Sequence, residues 1–164
     1  MARANRLLID ALRTTADRLD GGARYQWTHM GSCNCGHLAQ TLTNLTPREI
    51  HERALARAGD WSEQAFEYCS TSCLPIDEVI QTMLDISLTR QDIRDLERLS
   101  GQGILQTLSP GERTLDRRRR SHVVRYLRAW ADLLEAQLIG GRLAEQVARA
   151  GRVRGSTERT LQSV

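Results

Sequence analysis

The chain has 164 residues, 23 basic side chains and 20 acidic ones, and every basic residue is arginine. The absence of lysine excludes Schiff-base and pyridoxal-phosphate chemistry, and with it any phosphate-loop or kinase-type lysine. Residues 1–139 hold 18 arginines and 18 acids, so the whole net charge of +3 comes from residues 140–164, with five arginines and two glutamates. With 40 % apolar residues and 26 % charged ones the composition is that of an ordinary globular chain. Aromatic residues are scarce at 4 %, so the core must come from leucine, isoleucine, valine and alanine, which suits helix packing better than a β-sandwich.

Taken in chain order, the pattern predicts an all-α fold, a small irregular bundle of about six to seven helices. Leu7, Leu8, Ala11, Leu12, Ala16 and Leu19 recur at helical spacing over about residues 4–19, and Gly21-Gly22 ends that helix. The opening twenty residues carry charges throughout and have no continuous apolar signal core, so the expected location is cytoplasmic. Residues 23–36 show no period. A helix is expected from Gly36 through HLAQTLT. Thr46, Pro47 and Glu49 form a capping-box start, with a stop at Gly59.

Asp60 with Glu63 starts a short helix, Cys69 to Leu74 is a second irregular stretch, and Pro75 opens a further helix. Thr89 with Asp92 is a third capped start, and Gly101 and Gly103 break the chain. The longest helix is predicted from about Arg113 to Leu138, with Val123, Leu127, Trp130, Leu134 and Leu138 as its apolar stripe. Gly140-Gly141 is read as the end of a single helical domain over residues 1–139. Residues 140–164 then form a basic, partly helical or disordered extension.

Chemistry concentrates in Tyr25 to His37, which packs His29, Cys33, Cys35 and His37 into nine residues. Soft and borderline donors this close lower the loop-closure cost of a metal site. In an extended loop, Cys33-Asn-Cys-Gly-His37 would turn its three donors to one side. Adding Cys69 gives three thiolates and one imidazole, a common zinc set, and the expectation is a zinc-binding protein with ligands Cys33, Cys35, His37 and Cys69. Iron or an iron–sulfur cluster is the competing occupant, and His29 and Cys73 are the reserve ligands. The spacing matches neither zinc ribbons, c-type haem nor ferredoxins. Packed inert thiols and disulfides are the simpler readings of the same residues.

No acid–base or nucleophile pair names a reaction. A thiol activated by His29, His37 or His51 is the enzymatic option. Tyr25, Trp27 and Trp61 would cover the cysteine loop or pack ordinarily beneath it. The alternative function is a regulatory or adaptor module that binds nucleic acid or a protein partner through its arginines. Nucleic acid is the weaker of the two, because Arg90, Arg94 and Arg98 lie among acids, and Arg117 to Arg120 would point all round a helix.

Overall fold

A computed structural model describes residues 1–72 and 74–161, with side chains to residue 146. Its described residues contain no strand. They form eight α-helices: α1 (Arg6–Asp20), α2 (Asn34–Thr43), α3 (Pro47–Ala54), α4 (Trp61–Phe66), α5 (Pro75–Asp85), α6 (Arg90–Arg98), α7 (Gln102–Leu105) and α8 (Arg120–Leu161), with a 3-10 turn at Pro110–Glu112. The all-α expectation holds, and the extra helix is α7, one turn that the two glycines around Gln102 concealed in the sequence. No described helix is long and apolar enough to cross a membrane.

The three capped starts form as the sequence requires. The side chains of Thr46, Asp60 and Thr89 each accept a hydrogen bond from the backbone N–H three residues on, and Glu49, Glu63 and Asp92 reach back to the cap. Asn5 caps α1 by accepting from Leu8 N at 2.9 Å. Each cap satisfies N–H groups that the first turn of a helix leaves without partners.

Apolar periodicity then decides the packing. Leu8, Ile9, Leu12, Ala16 and Leu19 of α1 are buried, as are Val123, Leu127, Trp130, Ala131 and Leu134 of α8, and these two helices share the most extensive interface. Ion pairs flank that seam: Arg13 meets Glu135 at 2.6 Å and Asp132 at 2.9 Å, while Arg128 meets Asp17 and Asp20 at 3.0 Å each. These side chains are substantially exposed, so each pair adds at most about 1 kcal/mol. Leu38, Ile50, Trp61, Ile76, Ile80, Met83, Ile93 and Leu96 extend the core into α2–α6.

Two boundaries differ from expectation. Helix α8 begins at Arg120 rather than near Arg113, since residues 113–119 are an irregular stretch that ends in a turn closed by Arg119 N on Asp116 O. It also runs through Gly140-Gly141 to Leu161 instead of stopping there. Each glycine costs about 1 kcal/mol in a helix. A helix already nucleated by its packed half nevertheless propagates at little further cost. The buried stripe of α8 ends near Leu138, and residues 139–146 are exposed.

Candidate functional site

Helix α1 stops at Gly21, and Gly22 turns the chain with φ of 101°. The following segment folds into close turns held by its own backbone. Gln26 N donates to Ser32 O at 3.0 Å, and Ser32 N and Cys33 N donate to His29 O at 2.8 and 2.9 Å. Two glycines are required by close approach. A Cβ on Gly31 would lie 1.9 Å from Pro47 O, and one on Gly36 would lie 2.1 Å from Met30 O.

Helix α2 begins at Asn34, with Cys33 as its N-cap, so the cysteine loop is largely the first turn of a helix. That changes the donor geometry, because residues two apart on a helix do not face each other. Cys33 Sγ donates to Met30 O at 3.4 Å and Cys35 Sγ donates to Ile93 O at 3.4 Å. Both thiols are buried. Burial pushes Cys33 up to about 12 and Cys35 well above its usual value, so both stay protonated.

His37 Nε2 lies 3.1 Å from Arg24 O, which makes Nε2 the protonated nitrogen, and Nδ1 faces Arg18 Nη2 at 3.4 Å. Burial lowers His37 to about 4. Cys69 is exposed, with its sulfur 3.2 Å from Thr71 Oγ1, a contact that lowers its pKa. The four expected ligands Cys33, Cys35, His37 and Cys69 are therefore not brought together, and each has a different partner. Among the described residues no three His, Cys, Asp or Glu side chains are grouped as metal ligands. The reserve ligand His29 accepts from Gly31 N at 3.2 Å and stacks on His51, ring centroids 4.0 Å apart. Burial, then His51, lowers its pKa. Cys73 lies outside the described residues.

Asn34, between the two cysteines, holds the segment in place. Its Nδ2 donates to Leu96 O at 2.9 Å and Glu97 O at 3.0 Å, and the Tyr25 hydroxyl bonds its Oδ1. Buried Glu97 in turn accepts from Trp61 N and Ser62 N at 3.1 Å each, capping α4 from across the fold. Trp61 does cover the cysteine turn, donating from Nε1 to Met30 O at 2.9 Å. Trp27 lies elsewhere, half-buried under the guanidinium of Arg117.

What the fold does assemble is a cleft of about 380 Å³ between the end of α1, the 23–32 segment, α2 and the start of α3. Its lining includes Arg18, Arg24, Arg48, His29 and His37, and no carboxylate among the described residues. Arg48 is paired with Glu52 at 2.7 Å. Arg18 has no acidic partner there. Its Nη2 donates to His37 O at 2.6 Å, and its Nε is buried without a hydrogen-bond partner. Burial lowers its pKa, yet a guanidinium remains charged.

A larger groove of about 660 Å³ runs along α8, but its cations Arg125 and Arg128 are held by Glu112, Asp17 and Asp20. It therefore presents no uncompensated charge. Sequence reasoning passed over Arg18, although a signal was present: the residues three and four away, Thr14, Thr15, Gly21 and Gly22, offer no acid. Set against known protein families, curated proteins and solved structures, the chain matches none of them.

Proposed function

We propose that this chain is a binding module whose site is the α1–α2–α3 cleft, and that its ligand is a small anion with carboxylate or phosphate chemistry. One observation carries the reading: a half-buried arginine, Arg18, lines a cleft with no carboxylate among its described lining residues. A buried cation normally has a counter-charge, and an anion entering the cleft supplies it. Arg24 lies at the same cleft, and among the described residues its guanidinium has only the Gln26 side chain as a hydrogen-bond partner, at 3.4 Å. The zinc reading, with iron or an iron–sulfur cluster as its competitor, rests on the residue pattern alone.

Titration calorimetry with phosphate, sulfate and citrate at low ionic strength tests this. At least one is expected to bind saturably, and Arg24→Gln is expected to weaken it roughly tenfold, the worth of one charge-assisted hydrogen bond. Arg18→Gln should abolish it, with a thermal melt checking that the fold survives. No saturation by any of the three, or unchanged binding in Arg24→Gln, overturns the reading. The same protein after chelator treatment is expected to melt unchanged. A large drop on treatment, reversed by zinc, would restore the metal reading instead.

A further inference from the structure

The four consecutive arginines Arg117 to Arg120 do not circle a helix. Only Arg120 belongs to α8, and the other three lie in the turn before it. That turn is built by Asp116, whose carbonyl accepts from Arg119 N at 3.0 Å and whose Oδ1 accepts from Arg118 N at 2.8 Å. Asp116 keeps its charge but has no ion pair among the described residues, and Glu112 is paired with Arg125 at 3.5 Å.

The turn packs against the 23–27 segment, nearly a hundred residues earlier in the chain. The Tyr25 hydroxyl bonds Arg117 O, Arg120 Nη1 donates to Ala23 O at 3.4 Å, and the Arg117 guanidinium lies 4.5 Å over the Trp27 ring. Arg117, Arg118, Arg119 and Arg120 therefore form one ridge beside Tyr25 and Trp27, and none of the four has an ion pair among the described residues. Residues 1–139 are neutral in sum, so outside these four cations they hold 14 arginines against 18 acids.

We infer that this ridge is a docking surface for single-stranded nucleic acid. Four guanidinium groups without ion pairs among the described residues match a run of phosphates, and binding releases the counterions condensed on the nucleic acid. The Arg117–Trp27 cation–π contact offers a cationic and aromatic face on which an unstacked base can lie. The surface consists of a turn, a loop and the first residue of α8, with no helix face laid along it among the described residues, so bases must already be exposed to reach that contact.

Fluorescence anisotropy with a labelled oligothymidylate at low salt tests the inference on the full chain. Binding is expected, and the exposed double variant Arg118→Ala/Arg119→Ala is expected to weaken it at least about tenfold. Loss of two phosphate contacts should also lower the slope of log K against log salt by roughly 1.4. Trp61 and Trp130 are fully buried, so quenching on binding should come from Trp27 and vanish in Trp27→Phe. Unchanged binding by the double variant overturns the assignment. So does tighter binding of a duplex, or of phosphatidylserine vesicles, than of the single strand. Sulfate binding at the cleft is measured separately, so failure here leaves that reading standing, and the reverse also holds.

Discussion

The two irregular stretches around Tyr25–His37 and Cys69–Ser72 share residue types but occupy opposite environments. In the first, two thiols, an imidazole and an asparagine are buried, and each polar atom is taken up by a backbone carbonyl or a neighbouring side chain. In the second, Cys69 faces solvent, and among the described residues its sulfur bonds within its own turn, to Thr71 Oγ1. The difference teaches that a cysteine's protonation follows its burial and its partners, and that spacing along the chain is a weak guide to either.

The comparison breaks most sharply at Gly36. Gly36→Ala places a methyl group 2.1 Å from Met30 O and 2.5 Å from Gly31 C, both backbone atoms that cannot move aside alone. A loss of about 4 kcal/mol or more is expected in chemical denaturation, against less than about 0.5 kcal/mol for exposed Ser70→Ala in the other stretch. Comparable losses at both sites would show that the first segment is no more tightly packed than the second.

The next largest effect is the response to acid. His37 is 2 % exposed and titrates at about 4 when folded, against a usual value of 6.5. The unfolded chain therefore binds more protons between those values. The contribution is complete above 6.5 and is lost as the pH falls towards 4, a change on the order of 3 kcal/mol. Denaturant midpoints measured across this range should fall in the wild type and fall less in His37→Gln. Equal slopes would assign the acid response to other groups.

The smallest effect in energy is the most direct contrast in chemistry. In a Cys73→Ser background, Cys69 is expected to react with a thiol reagent in the native protein, whereas Cys33 and Cys35 react only at the rate of unfolding. Cys69→Ser should leave the melting temperature within about 1 °C, since it alters one exposed contact. Rapid labelling of all three thiols would erase the contrast.

Local signals set much of this architecture. The capping boxes at Thr46, Asp60 and Thr89 and the apolar stripes of α1 and α8, except for Leu7, which is exposed, were legible because they act within one helical turn or along one helix face. The run of Gly140 and Gly141 misled, because stop signals are weak against a helix already anchored by tertiary packing. The cysteine loop misled for a related reason. Treating Cys33 to His37 as extended turned the donors to one side, while the helix that starts at Asn34 separates them.

By itself the sequence determined the helical class, the capped helix starts at Thr46, Asp60 and Thr89 and the exclusion of lysine chemistry, all properties of residue type and short-range spacing. Tertiary structure alone decided that Arg18 would lack a counter-charge beside a cleft, and that Arg117 would lie on Trp27. Both depend on which distant segments meet. Charge balance summed along a chain is blind to that, because electrostatic energy depends on distance in space.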